Sequence, residues 1–188
     1  MESVGFKEWA AVCEALGRGR QSIILRKGGI AEGRDGFSFK HREFFLFPTW
    51  FHEQPEKVTE SQIEVPPENA ERLTIKYAAT LGFSHTITSW DVAEALAPLH
   101  IWKPEVVRER FDYDEAPGLH AAFVRVFRLA PVWSFPNEKR YGGCRSWVPL
   151  PTPPNGTTLE PVLTDAEHAQ RKEQFLAIVA EKLPGGAP

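Results

Sequence analysis

The sequence predicts an α+β fold, in which several strands are accompanied by helices near both ends of the chain. Residues 119–129 form the clearest strand, because one face is apolar apart from Arg125 and the other carries Ala122, Val124 and Val126, so both faces are largely covered. Residues 74–88 are rich in β-branched and aromatic side chains, which predicts one long bent strand or a pair of strands. Apolar residues at helical spacing across residues 6–16 predict an N-terminal helix on the core.

The segments between these elements also carry strand signals. Residues 22–25 are an apolar run that predicts a buried strand, and Gly28-Gly29 marks a turn after it. Apolar and polar residues alternate over residues 37–42, which is typical of a half-buried strand. Residues 44–47 form a further short apolar run that ends at Pro48.

Two short helices and a closing strand are predicted in the second half of the chain. Thr88 and Asp91 have the spacing of a capping box, which predicts a helix that stops near Pro98. Pro104 is suited to the first turn of another helix, running to about residue 111. Residues 147–148 predict the closing strand.

The last forty residues differ in character from the rest of the chain. A Pro-rich linker over residues 151–163 is expected not to continue a sheet. Thr164 and Glu167 form a capping box for a last helix, which Gly185-Gly186 ends. We therefore predict one α+β domain over residues 1–150, the linker, and a helical appendage over residues 164–188. The apolar stripe of that helix consists of Phe175, Leu176, Ile178, Val179 and Leu183.

Composition excludes several classes of protein. A mean hydropathy of -0.32, with 13 Phe and 6 Trp, argues against disorder. The longest apolar run is far short of the roughly 20 residues of a membrane helix, and the first residues lack the features of a signal peptide. Cytosolic thiols are usually reduced, so no disulfide between Cys13 and Cys144 is expected. These observations predict a cytoplasmic protein without membrane contact.

Charge is unevenly distributed behind the formal net charge of -3. Residues 1–52 carry eight Lys and Arg against six Asp and Glu, and residues 121–148 carry five against one. Residues 53–120 carry six against thirteen. If the two basic segments meet in space they form a positive face suited to a polyanion, whereas charges scattered over a solvated surface would have no such role.

Four motifs stand in order along the chain. They are Phe6-Lys7-Glu8-Trp9-Ala10, Leu25-Arg26-Lys27-Gly28-Gly29-Ile30, Phe47-Pro48-Thr49 with His52, and Tyr141-Gly142-Gly143-Cys144-Arg145-Ser146-Trp147. Together they resemble a bacterial family known as domain of unknown function 1802. The resemblance spans roughly residues 6–150 and leaves the linker and the last helix outside. That family has no established activity, and its loose association with restriction–modification contexts would imply DNA.

A weaker resemblance concerns the turn from the first helix to the strand after it. Gly19 and Arg26 match the Gly-x-Lys-x-x-Glu-x-Arg pattern of the ASCH group of PUA-like barrels. Gln21 and Ile24 stand where that group has Lys and Glu, so an ASCH-type catalytic or base-reading role lacks those two residues. The resemblance implies a mixed, partly open β-barrel with peripheral helices.

The N-terminal basic cluster is the strongest candidate for a binding site. Its seven cations in 25 residues are interleaved with Phe37, Phe39 and Trp50, a pattern typical of phosphate contacts beside stacking platforms. If the phenylalanines are core residues, the cations only line solvent. The cluster comprises Arg18, Arg20, Arg26, Lys27, Arg34, Lys40 and Arg42.

Candidate catalytic residues are fewer. His52 lies in a predicted loop beside Glu53 and could be a general base or a phosphate contact, or a structural histidine. Cys144 lies near Arg140 and Arg145, which favour a thiolate, but no His or Asp partner can be assigned to it. The six histidines lack zinc-binding spacing, so no metal and no cofactor are expected.

The leading hypothesis is a nucleic-acid-binding module for DNA or RNA. The first alternative is an enzyme, either a metal-dependent nuclease or a hydrolase of a restriction-modification-type system that uses His52 or Cys144. The second is an interaction module that binds a protein partner or a second copy through the C-terminal helix. Whether the protein is an enzyme is left open. The predicted nucleic-acid-binding residues are Arg26, Lys27, Arg42, Trp50, His52, Arg125, Arg145 and Trp147.

Overall fold

Strands and helices are interspersed along the described part of the chain. The computed structural model describes residues 2–27, 38–50, 54–60 and 70–181. The strands are β1 (Val4–Trp9), β2 (Ile23–Arg26), β3 (Glu43–Thr49), β4 (Arg72–Ile87), β5 (Leu119–Pro136), β6 (Trp147–Pro149) and β7 (Thr158–Pro161). The α-helices are α1 (Ala10–Gly17), α2 (Gln54–Lys57), α3 (Trp90–Ala95), α4 (Pro104–Phe111) and α5 (Asp165–Glu181), with short 3-10 helices at Ala97–Leu99 and Lys139–Tyr141.

Within the described residues, seven strands form one mixed sheet that does not close. Its order is β2-β5-β4-β3-β1-β6, and β7 also pairs with β5. The β1–β3 pair is parallel and the other pairs are antiparallel. Strands β4 and β5, of 16 and 18 residues, pair along most of their length and form the backbone of the sheet.

A side chain bridges the open seam of this curled sheet. Arg26, the last residue of β2, donates a hydrogen bond from its guanidinium to the carbonyl of Lys7 in β1. Its guanidinium carbon also lies 4.8 Å from the centroid of the Phe6 ring. Since β2 is one edge of the sheet and β1 lies next to the other edge strand, β6, this contact links strands from opposite sides of the sheet. The predicted α+β class, with a mixed and partly open sheet, peripheral helices and a C-terminal helix, is confirmed.

Helix α1 lies against the curled sheet, and all of its residues are buried. It ends at Gly17 next to the ring of Tyr77 in β4. A Cβ at position 17 would lie 2.0 Å from Cζ of that ring, so only glycine fits there. This close approach fixes the distance between α1 and β4.

The single helix predicted over residues 6–16 is wrong in its first half, which is β1. Residues 4–8 are all buried, because β1 is a central strand of the sheet with covered faces. A strand buried on both faces loses the alternation that identifies strands, and its apolar residues then match a helical spacing equally well.

The predictions for the next elements had mixed outcomes. Strand β2 begins at Ile23, one residue after the predicted start, and the apolar run at residues 44–47 lies within β3. Residues 38–42 of the predicted alternating strand are not in a strand. The turn at Gly28-Gly29, and Arg34 and Phe37, lie outside the described residues.

One of the two predicted capping boxes is present. Thr164 and Glu167 form two reciprocal hydrogen bonds at the start of α5. The backbone N–H of Thr164 donates to Glu167 Oε2 at 2.9 Å, and the backbone N–H of Glu167 donates to Thr164 Oγ1 at 3.3 Å. Thr88 does not cap α3, which begins at Trp90 and has Ser89 at the N-cap position. The prediction for Thr88 was therefore wrong by one residue, because sequence spacing alone does not determine which residue leaves helical backbone angles.

The predicted linker contributes a strand to the sheet. Residues 158–161 form β7 and pair with β5, where Pro161 lies opposite Phe127. The expectation that this segment cannot continue a sheet was therefore wrong. Proline is tolerated on an edge strand, since the side of the strand that faces away from the sheet needs no donor.

The last helix packs on the body of the chain. Phe175 is fully buried and its ring centroid lies 5.3 Å from that of Phe83 in β4, while Val179 is also buried. Phe175 and Val179, two residues of the apolar stripe predicted to bind a partner, therefore pack against the protein's own core, whereas Leu176 is exposed. Leu183 and Gly185-Gly186 lie outside the described residues.

The substitution Phe175→Ala should lower the free energy of unfolding by about 3–5 kcal/mol, the usual cost of removing a buried phenylalanine ring. Leu176→Ala, one residue further on at 40% exposure, is the matched control and should cost well under that amount. Denaturant unfolding measures both. Equal effects of the two substitutions would contradict the packing of α5 on the sheet.

Neither cysteine forms a disulfide, since Cys13 is buried and free and Cys144 is exposed and free. In the described part of the chain, no helix is long and apolar enough to span a membrane.

Candidate functional site: a basic, aromatic-lined cleft

A cavity of about 630 Å³ opens between α1, the end of β3, the first half of β4 and the turn that follows residue 141. We call it the cleft. Its polar and aromatic lining residues are Lys7, Cys13, Glu14, Phe47, Thr49, Trp50, Arg72, Thr74, Lys76, Tyr77, Asn137 and Tyr141. Ala10, Leu46, Pro48, Ala70, Leu73, Gly142 and Gly143 complete the wall.

Lys7 lies at one end of the cleft and is 7% exposed. Its ammonium donates to the carbonyls of Gly142 and Gly143 at 3.1 and 2.9 Å. Burial lowers the pKa of Lys7, and the nearby cation of Arg145 lowers it further, while Cys144 acts in the opposite direction. Among the described residues no carboxylate forms an ion pair with this ammonium. A largely buried cation whose hydrogen-bond acceptors are neutral carbonyls attracts anions.

Glu14 also lines the cleft, and its negative charge is balanced by neighbouring donors and cations. Its carboxylate accepts from Lys76 Nζ at 2.7 Å and from Tyr77 Oη at 3.1 Å, and Arg18 Nε lies 3.8 Å away. Burial, together with the charge of Glu14 and its hydrogen bond, raises the pKa of Tyr77 to about 12. This end of the cleft is therefore a fixed network rather than a vacant charge.

Aromatic rings form much of the wall between these two ends. The ring centroids of Phe47 and Tyr141 lie 5.7 Å apart, and Lys7 Nζ lies 5.9 Å from the Phe47 centroid. Trp50 Nε1 and Tyr141 Oη are buried and have no hydrogen-bond partner among the residues described. The wall therefore combines flat apolar surfaces with two unused donors.

The charges of the cleft are opposite in sign to those of the whole protein. Of the described lining residues, Lys7, Arg72 and Lys76 are cations and Glu14 is the single carboxylate, which gives a balance of plus two. The protein as a whole carries a formal charge of -3. This local excess of positive charge attracts anions to the cleft.

Sequence reasoning missed most of these lining residues. Lys7 was assigned to a helix, where a lysine faces solvent, and Glu14 was assigned to the same helix. Lys76 and Tyr77 lie in a segment for which the sequence predicted a strand but no site residue. The signal that could have found Lys7 is the charged pair Lys7-Glu8 between the apolar residues Phe6 and Trp9, because buried charged residues are rare unless they are paired.

Some of the predicted binding residues lie at or near the cleft. Trp50 lines it. Arg145 and Cys144 are exposed and close enough to Lys7 to affect its pKa. The two basic segments meet, since β2 pairs with β5 and the ring centroids of His41 and Trp147 lie 4.8 Å apart.

Other predicted binding residues have internal partners. Lys27 pairs with Asp114 at 2.8 Å and donates to the Ala116 carbonyl at 2.7 Å. Arg26 bridges the seam of the sheet, as described above, and Arg125 pairs with Asp165 at the start of α5.

The remaining predicted residues that the structure describes do not line the cleft. Trp147 packs against Phe6 and Phe44, with ring centroids 4.8 and 5.3 Å away. Arg42 is exposed at the start of β3. His52 lies outside the described residues. In the ranges that the structure describes, no group of three or more His, Cys, Asp or Glu side chains is placed to hold a metal ion.

The chain belongs to the family named domain of unknown function 1802, whose model matches residues 5–174. The match extends beyond the four sequence motifs to include β7 and most of α5. No curated protein matches the sequence.

Similar solved structures include ASCH from Zymomonas mobilis, at 12% identity and a TM-score of 0.41, with 93% of each chain covered. Two point mutants of that protein each have 13% identity and a TM-score of 0.42. Each match covers 92% of this chain; it covers 94% of the first mutant's chain and 97% of the second mutant's chain. The ASCH group is the one that the segment from Gly19 to Arg26 resembles. Similarity at this level carries no inference about function.

Proposed function

We propose that the protein is a nucleic-acid-binding module and that the cleft is its binding site. The observation that carries the proposal is Lys7, a buried ammonium without a carboxylate partner at the end of an aromatic-lined cavity. A phosphate would supply the missing negative charge.

The composition of the wall supports a nucleotide over a simple anion. Nucleic-acid-binding grooves combine cations that follow the backbone with aromatic rings on which bases stack. The cleft offers the partly exposed Trp50 for stacking, the buried rings of Phe47 and Tyr141 as apolar wall, and Lys7 and Arg72 for phosphate. Its volume of about 630 Å³ falls within the usual range for sites that enclose one small ligand.

Arg72 provides a direct test of the site. It lines the cleft, and its guanidinium donates to Oγ and the carbonyl of Ser134. Loss of one phosphate contact should weaken binding several-fold. On a single strand it should also make the slope of the logarithm of the binding constant against the logarithm of the salt concentration shallower by about 0.7. We therefore expect Arg72→Gln to bind labelled single-stranded DNA or RNA more weakly than the wild type. Fluorescence anisotropy between 50 and roughly 200 mM salt measures this change.

Arg108→Gln is the matched control, because Arg108 is an exposed arginine on α4 that does not line the cleft. It should leave the affinity and its salt dependence unchanged. Running each probe on a denaturing gel, with EDTA and with Mg²⁺, distinguishes binding from cleavage. An absence of binding to both DNA and RNA at low salt would refute the proposal.

A further inference from the structure

We propose, building on the proposed function, that the cleft takes a nucleoside phosphomonoester rather than an internal phosphodiester. The ligand would be the phosphorylated end of a nucleic-acid strand or a free nucleoside monophosphate, which share this chemistry. The phosphate would lie at Lys7 and the base against the aromatic wall.

The first argument is charge. A phosphomonoester carries about -1.5 to -2 at pH 7 and presents three strong acceptor oxygens. A phosphodiester carries one negative charge. The described lining residues have a balance of plus two, so a monoester neutralises the cleft and a diester leaves it positive.

The second argument is donor supply at the phosphate end. Lys7 uses two N–H groups on the carbonyls of Gly142 and Gly143 and has a third for a ligand. Arg145 lies close enough to lower the pKa of Lys7, and it is exposed on the loop that holds Lys7. The phosphate end of the cleft therefore has a free N–H group on Lys7, with a second cation on a neighbouring segment of the chain.

The third argument is depth. Lys7 lines the cleft and is 7% exposed as a whole residue, so a phosphate reaches its ammonium through the cleft. An internal phosphodiester has chain on both sides, and both would have to follow it into the cleft. A terminal phosphate has chain on one side only. The burial of Lys7 therefore selects a strand end for steric reasons, independently of the charge argument.

The experiment compares four competitors against one labelled oligonucleotide bound to the full chain. Three are unlabelled strands of identical sequence with a 5′-phosphate, a 3′-phosphate or hydroxyls at both ends. The fourth is a mixture of free nucleoside monophosphates. We expect one phosphorylated strand to compete at least about tenfold better than the hydroxyl strand. Competition by the free nucleotides at equal concentration would assign the free molecule as the ligand.

The same series with Lys7→Met tests the assigned phosphate position, with Lys172→Met as the control lysine on α5. The preference for a phosphorylated end should disappear in Lys7→Met and persist in Lys172→Met. Equal competition by phosphorylated and hydroxyl strands in the wild type would overturn the inference and leave the proposed function standing. Failure of the labelled oligonucleotide to bind at all would overturn both.

Discussion

Replacing Lys7 by methionine should weaken the binding of a phosphate-ended oligonucleotide by at least about thirtyfold, while the fold is retained. Removing one partner of a buried charge pair typically costs about 2–5 kcal/mol of binding free energy. Methionine is unbranched and fills the space of the lysine stem, so the neighbouring Phe47 keeps its contact. Isothermal titration calorimetry on the wild type and on Lys7→Met measures the loss.

The pH dependence of stability provides an independent check on Lys7. Burial, with a further contribution from Arg145, lowers the pKa of Lys7 in the folded state below 10.5. Between the folded and unfolded values the unfolded chain binds more protons, so the free energy of unfolding should rise as pH increases through this interval. Lys7→Met should lack that part of the rise. Other titrating groups cancel in the difference between the two proteins, and a zero difference would show that Lys7 is solvated.

The substitution Gly17→Ala should lower the free energy of unfolding by about 3 kcal/mol, the upper end of the usual range for overpacking a core. The added methyl group would lie 2.0 Å from Cζ of Tyr77, and the aromatic ring is rigid. Displacement of the ring also removes the hydrogen bond from Tyr77 to Glu14. Chemical denaturation of Gly17→Ala against the wild type measures the effect.

Two further variants separate packing from backbone strain. Gly156→Ala has a positive φ of 80° and no atom within 4 Å of the new methyl group, so it should cost only about 1 kcal/mol. In a Tyr77→Leu background the far end of the ring is absent, and Gly17→Ala should then cost much less than in the wild type. Additive effects at positions 17 and 77 would contradict the clash.

Local signals were sufficient for the elements with strong patterns. Strand β4 was predicted from its β-branched and aromatic residues, the first part of β5 from apolar residues on both faces, and the start of α5 from its capping box. These features depend on neighbouring residues only, so the sequence carries them directly. The same reasoning failed for β1, whose two covered faces remove the alternation that identifies a strand.

The cleft could not be predicted because its lining residues come from five separate segments of the chain. Lys7 and Gly143 are 136 residues apart in sequence, and only the pairing of β1 with β6 brings them together. Lys76 and Glu14 are 62 residues apart and meet because Gly17 lets α1 approach β4.

The basic segments illustrate the division between sequence and tertiary structure. Sequence alone determined the α+β class, the family resemblance and the presence of unevenly distributed cations. Tertiary structure decided which cations are available, because Arg125 and Lys27 find carboxylate partners and Lys7 does not. Whether a charge is neutralised depends on what lies within a few ångströms of it, and for these residues the neighbours come from distant parts of the chain.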